Sequence, residues 1–84
     1  MKAKILTDSN SLLTMFRLGA IEGELISNSN FEKTFNKSVD DQNLAILIIT
    51  KSVYKKNNIK IDNFRKENSK PLIVIIDSWK DDIC

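Results

Sequence analysis

Leu44-Ala45-Ile46-Leu47-Ile48-Ile49-Thr50 is apolar up to its last residue and stops abruptly at Lys51. A strand with one wet face alternates apolar and polar side chains, whereas a strand covered by helices on both faces reads as an unbroken run. A buried helix would need a longer segment, and three of these seven positions are isoleucine. The run is therefore a central parallel strand. Leu72-Ile73-Val74-Ile75-Ile76 is a second run of the same kind, a helix-length further on. Two buried strands joined by such a segment spell a β-α-β crossover, and so an α/β fold.

Upstream of the central run, Phe31, Phe35 and Val39 repeat at i, i+4 and i+8. Glu32, Lys33, Asn36, Lys37 and Asp40 are turned outward. This is the clearest amphipathic helix in the chain, broken by Asp41-Gln42-Asn43. Earlier still, Ala3-Lys4-Ile5-Leu6-Thr7 reads as a first strand, and Asp8-Ser9-Asn10-Ser11 supplies capping residues for a helix over about Ser11–Leu18. Leu12, Leu13, Phe16 and Ala20 form its core stripe, and Gly19 and Gly23 suit its exit. Glu24-Leu25-Ile26-Ser27 reads as a short edge strand, followed by a second capping cluster, Asn28-Ser29-Asn30.

Between the two buried runs, Val53, Tyr54, Ile61 and Phe64 share a helical face from which Ile59 departs. Asn57-Asn58 is a candidate break in that helix, and Pro71 ends it. The order is βαβαβαβ. Right-handed crossovers close it as a small doubly wound parallel sheet in order 2-1-3-4, flavodoxin- or receiver-like, spanning residues 1–78 as one domain with a short tail, 79–84. The last strand is then an apolar edge, which should be covered by the tail or by another protein.

With 84 residues the chain makes one small domain at most, burying roughly 60–65% of its unfolded surface. A net charge of +2 gives no electrostatic footprint for nucleic acid or an anionic membrane. The lone cysteine, Cys84, cannot close an internal disulfide. No window is long and apolar enough to span a bilayer, so the expectation is a cytoplasmic protein with no direct membrane insertion.

The strand ends, Thr7-Asp8, Ser27-Asn28, Thr50-Lys51 and Asp77-Ser78, are all polar. In open α/β sheets this is where ligands bind, but these are also the residue types every βα turn requires. No glycine-rich loop follows the first strand, so a dinucleotide cradle is not encoded. A receiver domain needs an acceptor aspartate where this chain has Thr50. The absence of histidine excludes the usual nucleophilic triads, and Asp40-Asp41 and Asp81-Asp82 read as solvated charge pairs. No catalytic residue, cofactor site or metal site is expected.

A binding module remains. Trp79, alone in a polar tail, either folds back on the sheet edge or anchors a contact. Arg17 and Leu18 follow Phe16 on the first helix, with Leu18 off the core stripe, and Ile75 belongs to the apolar last strand. These four are the candidate partner-binding residues.

The chain resembles the F subunit of the V-type (vacuolar and archaeal-type) rotary ATPases. The resemblance rests on a strand ending in Asp8 followed by Phe16-Arg17-Leu18-Gly19, on the isoleucine-rich run ending in Ile49-Thr50, and on Pro71-Leu72-Ile73-Val74-Ile75. Met15 stands where the family has glycine, Lys51 where an acidic residue is common, and Asp77 where proline often closes the strand. The family also adds a C-terminal helix reaching the catalytic head, for which residues 79–84 are too few. What the resemblance implies is a noncatalytic central-stalk component, without cofactor, that binds the coiled-coil D subunit of the rotor below the catalytic A and B subunits. It would support ATP-driven ion transport from the cytoplasmic side, peripheral to the membrane. The competing classes are a receiver-like or nucleotide-binding signalling domain and a degenerate flavodoxin-like enzyme.

Overall fold

The computed structural model describes residues 2–27, 29–68 and 70–77. Four strands, β1 (Lys2–Thr7), β2 (Glu22–Leu25), β3 (Leu44–Thr50) and β4 (Leu72–Ile76), form one parallel sheet in the order β2-β1-β3-β4. The connections carry α1 (Asn10–Leu18), α2 (Phe31–Val39) and the pair α3 (Lys51–Lys56) and α4 (Asn58–Glu67). The doubly wound α/β fold expected from the two apolar runs is the fold observed.

The register shows how β3 divides its side chains. Leu47 lies beside Ile73 and Ile49 beside Ile75 and Leu6, all on one face of the sheet. There they meet Phe31 and Phe35 of α2, Val53 of α3 and Ile61 of α4 in a single core. Leu47 and Ile49 are fully buried. Phe35 stacks on Phe31 at 5.3 Å between ring centres and meets Phe64 edge-on at 5.6 Å. The opposite face of β1 and β2 is covered by α1, where Leu12, Leu13 and Ile5 are buried.

Several local expectations shift, each for a visible reason. β2 begins at Glu22, not Glu24, because Gly23 is a strand residue lying beside Ile5 rather than part of the turn. A Cβ there would collide with Leu13 and fall 2.7 Å from Cγ2 of Ile5. Gly23 thus lets α1 lie close on the sheet. Ile26 and Ser27 lie beyond the strand, although the Ile26 N–H still reaches the Thr7 carbonyl at 2.8 Å.

Ala20 does not join the core stripe. It is exposed, with φ of 65°, in the left-handed conformation just past α1. The Ile21 N–H donates to the Phe16 carbonyl and the Ala20 N–H to the Arg17 carbonyl, the two bonds of a Schellman turn. Gly19 precedes that position at an ordinary φ of −91°. The left-handed residue is therefore one place later than the glycine. Phe16 is only half-buried.

The caps also differ in detail. Ser9 caps α1, its Oγ accepting from the Leu12 N–H, so the helix begins at Asn10. Asn30 precedes α2 but turns back, accepting from the Ser27 N–H at 2.7 Å and donating to the Leu25 carbonyl at 3.1 Å. It pins the end of β2 rather than capping the helix. The candidate break at Asn57 is real. Its side-chain amide donates to the Val53 carbonyl and its own carbonyl accepts from Ile61, ending α3 and starting α4. The Tyr54 hydroxyl donates to the Asp62 carboxylate across this joint at 2.9 Å. That bond raises the Tyr54 pKa, so its contribution is present below the ordinary tyrosine value and is lost as pH climbs through the raised one.

Three changes test this packing. Phe35→Ala should destabilise the domain by about 3–5 kcal/mol, read from denaturant midpoints, because the ring is 1% exposed and has two aromatic neighbours. Ala20→Gly should stabilise it by about 1 kcal/mol, since the left-handed region costs a Cβ-bearing residue that much. Gly23→Ala should destabilise. An unchanged midpoint for Ala20→Gly would show that the Schellman turn carries no strain.

Candidate functional site

The topological switch point lies between β1 and β3, whose following helices leave to opposite faces of the sheet. Here the chain forms a cleft of about 240 Å³, lined by Asp8, Ile26, Ser27, Val53, Lys56 and Asn57. It is small for a cofactor site. The Asp8 carboxylate accepts a hydrogen bond from Ser52 Oγ at 2.8 Å, joining the β1 turn to α3. Lys51 reaches Asp77 at 3.7 Å across the ends of β3 and β4. Asp8, Lys51 and Asp77 at the strand ends are thus tied to neighbouring turns.

Thr50 stands where a receiver domain would place its phosphoacceptor. It is fully buried, and its Oγ1 has no hydrogen-bond partner among the described residues. A hydroxyl closed off from solvent and hydrogen-bonded to no base among the described residues has neither access nor activation for chemistry. Among the described residues, no cluster of three His, Cys, Asp or Glu side chains could hold a metal.

At the opposite end of the sheet, Lys2 lies 3.1 Å from Asp41 and 3.7 Å from Glu22. The Asn43 N–H donates to Asp41 at 2.9 Å. That bond, with the Lys2 ammonium, holds the Asp41 carboxyl below its usual value, and the Asp41 bond raises Lys2 above its own. The Asp41 contribution is present above the ordinary carboxylate range and fades as pH falls through the lowered value. Both groups are half-exposed at the surface, so this is a clasp between β1 and the turn before β3 rather than a reactive pair.

The surface of α1 separates the candidate contact residues. Arg17 is exposed on the β2 flank, lining a groove with Glu22, Gly23 and Glu24. Leu18 is 100° further round, 84% exposed, and points away from the sheet. Met15, which the sequence pattern did not single out, is 43% exposed on the opposite flank. Ile75 is half-buried against the core beneath α3 and α4. Trp79 lies outside the described residues. Arg17, Leu18 and Ile75, the three that are described, do not form one constellation.

Comparison with known proteins supplies what local geometry does not. Residues 4–83 match the family model of the ATP synthase (F/14-kDa) subunit. The chain belongs to this family. It is a member of the V-type ATPase F-subunit family, and the resemblance carried by Asp8, Phe16-Arg17-Leu18 and the two isoleucine-rich strands agrees with a match over nearly the whole chain. No individual curated protein and no solved structure matches it. Among the described residues, no helix is long and apolar enough to cross a membrane.

For an accessory subunit with this strand end, an acyl-phosphate donor should leave the isolated protein unlabelled, by intact-mass measurement. A stable adduct at Asp8 or Thr50 would contradict the reading of the switch point as a structural turn.

Proposed function

We propose that the chain is a noncatalytic central-stalk component of a V-type ATPase or ATP synthase. In this reading it binds the coiled-coil D subunit of the rotor and turns with it while the A and B subunits hydrolyse ATP and ions are pumped. It sits on the cytoplasmic side, peripheral to the membrane through the complex. The observation that carries the reading is the family match over residues 4–83. The switch point supports it, since Asp8 and Ser52 are spent on each other and Thr50 is sealed. A rotor accessory needs a rigid body and a contact surface, and the small sheet with one continuous core provides the first.

Within this reading, Arg17 and Leu18 on the last turn of α1 are the exposed side chains through which the first helix meets a partner. A planar guanidinium suits the carboxylates that line a coiled coil. Tagged protein expressed in its native membrane background should retain a coiled-coil subunit and the catalytic subunits. Retention of nucleotide or flavin alone would favour a signalling or flavodoxin-like role instead.

Arg17→Ala gives a sharper test. Its stability should stay within about 0.5 kcal/mol of the unsubstituted chain, as for most exposed positions, while affinity for the coiled-coil subunit falls. Lost stability with intact affinity would instead assign Arg17 to the C-terminal dipole of α1 and remove it from the contact.

A further inference from the structure

A four-stranded sheet is about 15 Å across its three inter-strand gaps, and packed helices lie about 8–10 Å apart. Each face therefore has room for two helices side by side. On the core face both places are taken, one by α2 and one by the α3–α4 pair. On the other face α1 takes the place over β1 and β2. The place over β3 and β4 holds no helix among the described residues.

The floor of this lane is apolar. Ile46 lies beside Leu72, Ile48 beside Val74 and Thr50 beside Ile76, so these side chains share the α1 face. Leu72 is 58% and Val74 37% exposed, while Ile46, Ile48 and Ile76 are half-buried. Met15 forms the wall. Leu13 approaches Gly23 on the β2 side, and Met15 is 200° further round α1, on the β3 side. No charged side chain belongs to this floor or wall. β2, by contrast, carries the charges Glu22 and Glu24, as a guarded edge does.

We propose that this lane receives one helix of the coiled-coil stalk subunit, laid alongside α1; the inference rests on the stalk reading above. Shape and chemistry both favour a helix. Five strand residues run about 16 Å, which matches about three helical turns. The occupant must present aliphatic side chains at i, i+3 or i+4, and i+7, outside the seam it uses for its own coiled coil.

A second copy of this chain fits poorly. The helix it could offer from the same face, α1, exposes Asn10, Ser11, Thr14 and Arg17 beside Met15 and Leu18, so polar side chains would be pressed onto isoleucine and valine. A lane of this size also buries less than the roughly 1,200 Å² that a stable two-body interface needs. Its occupant is therefore held by further contacts, as a component of a larger assembly is.

The test places a charge in the lane of the full-length chain, co-expressed with the complex's coiled-coil subunit. Val74→Lys and Met15→Lys alter solvent-reached positions on different elements, so one folded variant suffices. Each should keep its thermal midpoint within about 4 °C and bind the coiled-coil subunit at least about tenfold more weakly. Lys33→Glu, on α2 across the molecule, should bind as the unsubstituted chain does. Undiminished affinity in a folded Val74→Lys or Met15→Lys variant would overturn the inference and leave the stalk reading standing. If the unsubstituted chain retains no coiled-coil subunit, the stalk reading fails and the inference with it. Two results on the isolated chain would give the lane to another occupant and also overturn it. One is nuclear Overhauser contact between the Val74 methyls and the Trp79 indole, and the other is a dimer that Val74→Lys dissolves.

Discussion

Everything in this fold hangs on keeping the Leu47–Ile49 face of β3 dry. Its Leu47 and Ile49 are fully buried, flanked in the sheet by β1 and β4 and capped by Phe35, Val53 and Ile61. Burying each such side chain contributes about 1.5–3 kcal/mol, which matters in a domain whose whole margin is about 5–15 kcal/mol. The other elements answer to this requirement. Gly23 lets α1 come down on β1 and β2, Asn57 folds the last connection into two short helices over the core, and Asn30 fastens β2 so that α2 can cross to β3. The surface ion pairs at Lys2, Lys4 and Lys51 add little beside this.

The architecture was legible because unbroken apolar runs have few interpretations. Leu44–Thr50 and Leu72–Ile76 required helices between them, and the right-handed crossover then left one natural strand order. What was not legible was local. Nothing in Gly19-Ala20 shows which residue takes the left-handed position, because that depends on where the last hydrogen bonds of α1 close. Nothing in Glu22-Gly23-Glu24 announces a strand, because the small residue answers to Leu13 on another element. Asn30 looks like a helix cap in sequence and acts as a staple for β2 in space. In each case a tertiary partner overrode the local preference.

The functional reading has the same division. The strand ends have the residue types of a ligand site, and the structure shows them turned on one another, with Asp8 bound by Ser52 and Thr50 closed off. Arg17 and Leu18 are neighbours in sequence, but Arg17 lies on the β2 flank of α1 while Leu18 points away from the sheet. Met15 lay off the core stripe and entered the reading only as a departure from the family's glycine, and its exposure gains meaning because the place beside it holds no helix among the described residues. Membership of the F-subunit family gives these observations their frame. The tight core and the strand ends belong to the fold, and here the two faces of the sheet differ in how far helices cover them.

The central claim is that this chain travels with the rotor. Native mass spectrometry of the ATPase purified through a tag on this chain counts its copies against the other subunits. The account predicts one copy per coiled-coil subunit, in a subcomplex that survives when the catalytic head is stripped away. A count equal to that of the catalytic subunits, or a chain that leaves with the head while the coiled coil stays behind, would contradict it.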